Sequence, residues 1–541
     1  MSRCVSCGWA AALALALSSA NAAPERIPQP RYVIFMMGDG MGVDELELAR
    51  QYSLAVLGHD LFMTGALAHQ GACALVDTYS SSDLVTDSAA AASAWATGWK
   101  IRNGEVAVDP SSREPLQTIL EFYKEKHGFR TGIITNDEIA GASPAAFAAH
   151  IAYRMDLGEI ARQYCDQSQP DVILGGGRKD FLPNRRWDGR DLVGDFVVRH
   201  GYRYVETAEE LARVRSGKVL GLFADGLLTW QIDRPPEGAK EPMVTEMVEA
   251  GLRILSADRP KGFFLFAEEC MADKAGHKTD AAAMVMGILE LDRAVAAAYR
   301  FYQKHRGETL LIVTADHETG GLQWVLGYDW EEKVRAADRR AGERSPVARL
   351  ASVHASIAQT VKGLDEQLTP EQRAMLRWRY RQFQFAPELE RALDEGRRSL
   401  GKLGQKWDSV LTYLVARNTG AYYSGTAHSL APVPLFAVGV GAERFNGHLD
   451  NTDVGRTLFR LAGRQDFRNV RPAGPETYVS RPPRATPRST PRPTASRSRT
   501  SGAAYGGYAL ENADEDSRLS TPSKRMTSSR SRTSDAQNED D

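Results

Sequence analysis

Six short runs of apolar residues recur along the chain, and most of them end in Gly, Asp, Glu or Asn. They span residues 32–37, 131–135, 171–174, 262–266, 309–314 and 433–438. Runs of this length are typical of strands that are buried on both faces. Stretches with helical patterning lie between them, including 241–255 and 281–302. This alternation predicts an α/β fold in which a mostly parallel central sheet carries helices on both faces.

The two ends of the chain differ in composition from this central part. Residues 1–22 have a basic start, an apolar stretch and a small-residue cleavage motif, which predicts a signal peptide and therefore an exported protein, periplasmic or secreted. A retained apolar anchor is the alternative, although the run is short for a membrane span. Residues 471–541 are rich in Pro, Arg, Ser and Gly, and we expect a disordered tail there. The catalytic domain would then occupy residues 31–470.

A further segment, residues 329–416, is rich in Arg, Glu, Ala, Leu and Gln, which favours a helical insertion. The sequence Leu368-Thr-Pro-Glu-Gln within it is a typical helix start, with Pro in the first turn. The insertion could be a solvated lobe, a lid or a dimer contact, and the sequence leaves these alternatives open. A homodimer therefore stays open as well.

Charge and cysteine content exclude several classes of protein. The 541 residues carry a net charge of -2, which argues against nucleic-acid binding through a broad basic surface. Beyond the first 25 residues there is no apolar run long enough for a membrane span, so a polytopic membrane protein is excluded. The 5 cysteines are too few for a disulfide-built scaffold. Removal of residues 1–22 would leave Cys73, Cys165 and Cys270, whose pairing the sequence does not determine.

Carboxylates and imidazoles collect directly after the predicted strands. Ligands of α/β sheets bind beyond the carboxyl ends of parallel strands, so these side chains should lie together. Carboxylate oxygens and imidazole nitrogens are ligands for divalent cations, and several histidines among them favour zinc. The residues are Asp39, Glu268, Asp273, His277, Asp316 and His317, together with His428, which precedes the last apolar run.

Ser88 is the candidate nucleophile. The alanine-rich run that follows Asp87 and Ser88 is strongly helix-forming, which places both residues at a helix N-terminus. A helix cap is a sufficient explanation of this motif by itself. The functional alternative is that the free amides of the helix terminus bind an anion beside Ser88. No G-x-S-x-G motif surrounds the serine, so activation by a metal ion is more consistent with the sequence than a hydrolase triad.

Three segments together resemble the signature segments of alkaline phosphatases: Gly38-Asp-Gly-Met-Gly42, Thr86-Asp-Ser-Ala89 and Thr314-Ala-Asp-His-Glu-Thr-Gly-Gly321. The segments Gly175-Gly-Gly-Arg178 and Gly425-Thr-Ala-His-Ser429 also resemble that family. The similarity covers most of residues 31–328 and 420–463, in the family's order. It implies an alkaline-phosphatase-like fold and the hydrolysis of small phosphate monoesters, with release of inorganic phosphate.

The resemblance also implies roles for individual residues. Asp273, His277 and His428 match the ligands of a first zinc ion, and Asp39, Asp316 and His317 match those of a second. Ser88 matches the nucleophile that becomes phosphorylated, and Arg154 matches the arginine that binds phosphate. Glu268 and Ser143, with Asp39, match the ligands of a third ion, magnesium. Two ions about 4 Å apart suit an in-line displacement because they can bind the attacking and leaving oxygens.

The chain departs from the family pattern at residue 141. Relatives often carry Asp or His there, two residues before the Ser or Thr of the third site, whereas this chain has Gly141. We expect the magnesium to be held loosely, and Gly141→Asp to tighten it if the backbone angles allow. Lys274 resembles the bacterial residue at its position. Cys270, close in sequence to these ligands, is interpreted as a buried thiol and not as a ligand.

These observations favour an exported metal-dependent phosphomonoesterase. A phosphodiesterase of the same superfamily is the first alternative. A sulfatase is disfavoured because Ser88 lacks the x-Pro-x-Arg sequence that formylglycine formation needs. The remaining alternative is a non-catalytic protein that binds phosphate or a surface, with the tail as its adhesive part. The intact set of nucleophile, arginine and zinc ligands argues against it.

Overall fold

A computed structural model describes residues 28–235, 239–258, 260–325, 346–394 and 406–464. The predicted signal peptide, the predicted tail from residue 471 and parts of the predicted insertion lie outside these residues. Within the described residues, no helix combines the length and the apolar character that crossing a membrane requires.

Ten strands form one central sheet in the order β14-β2-β13-β8-β1-β7-β3-β4-β6-β5. Four further strands form two small two-stranded sheets, β9 with β12 and β10 with β11. Among the residues that the structure describes, the fourteen strands are β1 Tyr32–Gly38, β2 Ala72–Asp77, β3 Arg130–Glu138, β4 Val172–Gly176, β5 Tyr202–Val205, β6 Lys218–Leu222, β7 Phe263–Glu269, β8 Thr309–Thr314, β9 Glu318–Thr319, β10 Leu322–Trp324, β11 Ala421–Tyr423, β12 His428–Ser429, β13 Val433–Gly439 and β14 Gly447–Asp450.

All six predicted strands are present in the central sheet, which is mostly parallel as expected. The exception is β13, which runs antiparallel to both β8 and β2. Apolar patterning identifies a buried strand but carries no information about its direction. The strands β2, β5, β6 and β14 lie towards the two edges of the sheet and were not predicted. β2 alternates between buried and exposed residues, a pattern that differs from the continuous apolar runs at the centre.

Helices cover both faces of the sheet, as the side chains of β1 show. Tyr32 and Phe35 are three residues apart and therefore point to opposite faces. The Tyr32 ring packs against Phe301 at a centroid distance of 5.3 Å. On the other face, Phe35 packs against Trp95 at 5.9 Å and Phe147 at 5.6 Å. The core is thus divided into two layers, one on each side of a sheet whose central strands are fully buried.

The α-helices of five residues or more among the described residues span Val43–Tyr52, Ser88–Thr97, Ile119–His127, Ala142–Ala148, Leu157–Gln163, Ala208–Arg213, Val244–Leu255, Met271–His277, Ala281–Lys304, Ile357–Val361, Pro370–Arg379, Pro387–Asp394, Trp407–Thr419 and Asn451–Leu461. The helix predicted from residue 241 begins at Val244, because Met243 adopts an extended conformation and its amide is bound by Glu246. The predicted start at Pro370 is confirmed, and Thr369 caps that helix through the amide of Gln372.

Candidate active site

The carboxyl ends of three neighbouring strands bring the first candidate residues together. In the sheet register Met37 of β1 lies beside Glu268 of β7 and Thr314 of β8. Asp39 therefore emerges between Glu268 and Asp316. Hydrogen bonds of the backbone fix the position of Asp39, since its amide donates to the Glu269 carbonyl at 2.9 Å. The Gly40 amide donates to Asp316 Oδ1 at 3.2 Å.

The helix Met271–His277 follows β7 and carries two more candidates. Asp273 and His277 are four residues apart, so both project from the same face of the helix. Gly40 allows this helix to approach β1, because a Cβ at residue 40 would lie 2.5 Å from the Asp273 Cα. Gly40 also has a φ of 76°, a conformation that favours glycine. The glycine after Asp39 is thus required by a close backbone contact.

His428 reaches the same place through the small sheet formed by β9 and β12. In that antiparallel pair Thr319 lies opposite His428. The rings of His317 and His428 stack, with their centroids 3.5 Å apart. A residue more than 100 positions further along the chain is thereby brought against Asp316 and His317.

The three histidines present the same nitrogen to a common centre. The Nδ1 atoms of His277 and His428 lie 2.6 and 2.9 Å from the carbonyls of Thr426 and Thr86. Because a carbonyl only accepts, each Nδ1 carries the proton and each Nε2 lone pair is left free. The third histidine, His317, has its Nδ1 3.1 Å from the Thr319 hydroxyl. Such outer contacts are typical of metal-binding histidines because they orient the ring.

Two groups of ligand atoms result. In the first, Asp273 Oδ1 lies 3.2 Å from His277 Nε2 and 3.5 Å from His428 Nε2, and the two Nε2 atoms are 3.2 Å apart. In the second, His317 Nε2 lies 3.2 Å from Asp316 Oδ2 and 3.6 Å from Asp39 Oδ1. Within the described residues, Asp39 Oδ1 and Asp316 Oδ2 are buried without a hydrogen-bond partner. The second group offers three convergent atoms that fit a divalent cation, and Asp273 and His428 also converge with His317. The first group, with His277, converges by the three distances just given.

Three carboxylates of this centre have raised pKa values, because they are buried and lie close to other negative charges. Burial, then the negative charges of Asp273 and Asp316, raise the pKa of Asp39 well above its usual range. Burial and Asp273 raise the pKa of Asp316 to about 6, and burial and Asp137 raise that of Glu268 to about 8. Burial and like charges disfavour ionisation of these three carboxylates. Asp273 differs: burial opposes its charge, but hydrogen bonds from His277 and His428 lower its pKa well below the usual range. Bound cations would remove this penalty, and the donor set suits them.

Ser88 is the first residue of the helix Ser88–Thr97 and is almost fully buried. Asp87 caps this helix through Oδ1, which accepts from the Ala90 amide at 2.9 Å. The predicted helix start is therefore confirmed, but capping is performed by Asp87. The Ser88 hydroxyl instead lies 3.1 Å from His317 Nε2, the atom that belongs to the second ligand group.

Arg154 lies beside the same helix terminus. Its Nη1 donates to Asp87 Oδ2 at 3.0 Å, and the same oxygen accepts from the Gly104 amide at 2.9 Å. Burial opposes the positive charge of Arg154, but Asp87, and beyond it Asp39 and Asp273, raise its pKa. The guanidinium is therefore charged and lies close to the carboxylates of the centre.

The residues assigned to a third ion adjoin these groups. Glu268 is buried, and its Oε2 accepts from the Thr135 hydroxyl at 2.5 Å. The Ser143 hydroxyl, in the helix Ala142–Ala148, also binds the Glu268 carboxylate. Lys274 Nζ lies 3.1 Å from Asp137 Oδ2 and 3.5 Å from Asp273 Oδ2. Cys270 is buried and, like the other two described cysteines, unpaired.

Residues that no sequence pattern indicated hold these side chains in place. Thr319 binds both His317 and Asp273, donating to Asp273 Oδ1 at 2.6 Å. Thr135 holds Glu268, and Asp137 holds Lys274. Their sequence signal is weak, because each is a polar residue two to eight positions from a candidate ligand. Only the folded geometry separates them from ordinary loop residues.

The chain is similar to known proteins over most of its length. The family described as alkaline phosphatase matches residues 30–463. Alkaline phosphatase 3 of Bacillus subtilis is 30% identical over 447 residues, which cover 79% of this chain and 88% of that protein.

Solved structures of alkaline phosphatases are also similar to this chain. The alkaline phosphatase of Thermus thermophilus is 29% identical with a TM-score of 0.69, and the match covers 80% of this chain and 91% of that one. A cold-active alkaline phosphatase from a psychrophilic Shewanella species is 28% identical with a TM-score of 0.66, covering 80% of this chain and 99% of that one. The chain belongs to the alkaline phosphatase family and is a phosphatase.

Proposed function

We propose that this protein hydrolyses phosphate monoesters through a phosphoserine intermediate on Ser88, at a site that holds two zinc ions and one magnesium ion. The observation that carries the proposal is the position of the Ser88 hydroxyl, 3.1 Å from His317 Nε2. That nitrogen also faces Asp316 and Asp39 at 3.2 and 3.6 Å. The nucleophile therefore directly adjoins a group of cation ligands.

The ligand groups assign residues to each ion. Asp273, His277 and His428 would hold the first zinc, and Asp39, Asp316 and His317 the second. Glu268, Ser143 and the second oxygen of Asp39 would hold magnesium, which prefers oxygen ligands. When bound, the zinc pair lowers the pKa of hydroxyl groups and stabilises the negative charge of the attacking and leaving oxygens.

The protein itself contributes orientation and phosphate binding. The Ser88 hydroxyl attacks phosphorus and forms the phosphoserine, and the alcohol of the ester leaves on the opposite side. Water then cleaves the phosphoserine and regenerates the serine. The helix terminus at Ser88 favours an anion, because its first amides point out of the helix and its dipole is positive there.

Arg154 would bind two phosphate oxygens with its planar fork of N–H donors. Asp87 already occupies Nη1 and so fixes the plane of the guanidinium beside Ser88. The remaining donors of the group are then available to the substrate. This arrangement favours a tetrahedral dianion with three free oxygens, which is the phosphate group of a monoester.

The test compares hydrolysis of an aryl phosphate monoester with that of its diester, before and after treatment with a chelator. We expect monoester hydrolysis that is lost with chelator and restored by zinc. Ser88→Ala should lower turnover by several orders of magnitude while zinc content is unchanged. Ser429→Ala is the matched control, because Ser429 follows His428 but, within the described residues, its hydroxyl binds the Ala431 amide and no ligand of the centre. Preferred diester hydrolysis would favour the phosphodiesterase alternative, and phosphate binding without turnover would favour a non-catalytic protein.

Export is the second part of the proposal. Residues 1–22 have the composition of a signal peptide. Sequencing the N-terminus of the protein isolated from its native host should show a chain that begins after Ala22. An intact N-terminus in a cytoplasmic fraction would contradict export while leaving the proposed chemistry intact.

A further inference from the structure

Residue 141, where the chain departs from the family pattern, lies in a turn that excludes a side chain. The Gly141 amide donates to the Glu138 carbonyl at 2.7 Å. Its φ of -61° is open to any residue, so conformation is not the obstacle. However, a Cβ on Gly141 would lie 2.8 Å from that same carbonyl oxygen. This turn immediately precedes the helix that carries Ser143.

Another carboxylate occupies the neighbouring space. Asp137 Oδ2 lies 4.0 Å from the position of a Cβ on residue 141, which is within the reach of an aspartate side chain placed there. The same oxygen is 3.1 Å from Lys274 Nζ. Oδ1 is fixed by the Glu138 amide at 2.7 Å. Both carboxylate oxygens of Asp137 are thus bound, and its side chain is 20% exposed.

Asp137 is also linked to the expected magnesium ligand Glu268. Its amide donates to the Thr135 hydroxyl at 2.9 Å, and that hydroxyl donates to Glu268 Oε2 at 2.5 Å. A cation between these two carboxylates would therefore be attracted by both.

The geometry points to Asp137 as the carboxylate that supports the third metal ion in place of a side chain at residue 141. The inference rests on the proposed function, because it requires the magnesium site of Glu268 and Ser143. Magnesium usually retains several of its waters, and outer carboxylates hold them in place by accepting their hydrogen bonds. Asp137 is thus a positioning residue and not a direct ligand, and the expectation of a loosely held ion no longer follows from Gly141.

The experiment measures magnesium affinity by equilibrium dialysis of the zinc-loaded protein, with metal content determined by mass spectrometry. Asp137→Asn should bind magnesium about 10–100-fold more weakly than the unchanged protein. Its zinc content and melting temperature should not change. Glu138→Gln is the matched control, since that adjacent carboxylate faces Lys179 at 2.6 Å instead, and it should bind magnesium normally.

A second variant separates the metal role from the ion pair with Lys274. Lys274→Met removes a positive charge beside the site, so magnesium affinity should be equal or higher. The inference is overturned if Asp137→Asn and Glu138→Gln bind magnesium equally well, or if Lys274→Met loses as much affinity as Asp137→Asn. A protein that hydrolyses monoesters with zinc but shows either result would leave the proposed function standing. Absence of any magnesium binding in the unchanged protein would overturn both the inference and the third site.

Discussion

The hydroxyl of Thr319 forms a hydrogen bond with one residue from each of the two ligand groups. It accepts a hydrogen bond from His317 Nδ1 at 3.1 Å and donates one to Asp273 Oδ1 at 2.6 Å. Thr319 is fully buried, so water cannot replace either bond. Thr319→Val keeps nearly the same shape and suits the strand conformation of β9, but it removes both bonds.

The size of the effect follows from these two bonds. A hydrogen bond to a neutral group contributes about 0.5–1.5 kcal/mol to stability, and a hydrogen bond to a charged group contributes about 1.5–3 kcal/mol. Their combined loss sets an upper limit of about 4.5 kcal/mol, and bound zinc would offset part of it by holding both ligands directly. Loss of comparable outer partners weakens metal binding about 10–100-fold, or roughly 1.4–2.7 kcal/mol. We therefore expect Thr319→Val to bind zinc about 10–100-fold more weakly.

The assay is competition for zinc between the protein and a chelator of known affinity, with metal content and activity followed together. Thr319→Ser is the matched control because it retains the hydroxyl, and it should hold zinc almost as well as the unchanged protein. Circular dichroism checks that the fold is intact. If Thr319→Val retains zinc as tightly as Thr319→Ser, then the hydroxyl does not position the ligands and the reasoning is refuted.

Three further predictions follow. Arg154→Lys should weaken inhibition by inorganic phosphate by ~1–3 kcal/mol, because lysine keeps the charge but loses the fork; an unchanged inhibition constant would mean that another residue binds phosphate. Gly141→Asp should lower the free energy of unfolding by roughly 1–3 kcal/mol, owing to its contact with the Glu138 carbonyl, and denaturant titration that shows no loss would contradict the close contact. His150→Gln should destabilise the fold by roughly 1–3 kcal/mol near pH 5.5 and by less near pH 9. Although burial opposes both charges, the 2.9 Å ion pair raises the pKa of His150 above 6.5 and lowers that of Glu121 below 4.5. The contribution of His150 is complete below pH 6.5 and is lost as the pH rises through its folded pKa; that of Glu121 is present above pH 4.5. Urea titrations that show equal losses at both pH values would contradict this assignment.

Much of the site was readable from the sequence because its residues occur in local patterns. Asp39 and Asp316 directly follow apolar strands, and the alanine run after Ser88 specifies a helix start. Parallel strands bring their carboxyl ends to one edge, so residues after different strands could be predicted to meet. The roles of Ser143 and Arg154 depended on family resemblance, since no local pattern distinguishes either residue.

Tertiary structure decided the features that depend on distant parts of the chain. The antiparallel direction of β13 and the place of β2 in the sheet follow from packing, because strand patterning is the same in either direction. The two hydrogen bonds of the Thr319 hydroxyl likewise depend on which segments pack together, and so does the position of Asp137 beside Gly141. The order of residues along the chain was enough to predict which carboxylates and imidazoles lie at the carboxyl edge of the sheet. Folding decided which residues orient them, because hydrogen bonds between residues far apart in the chain exist only after the layers have packed.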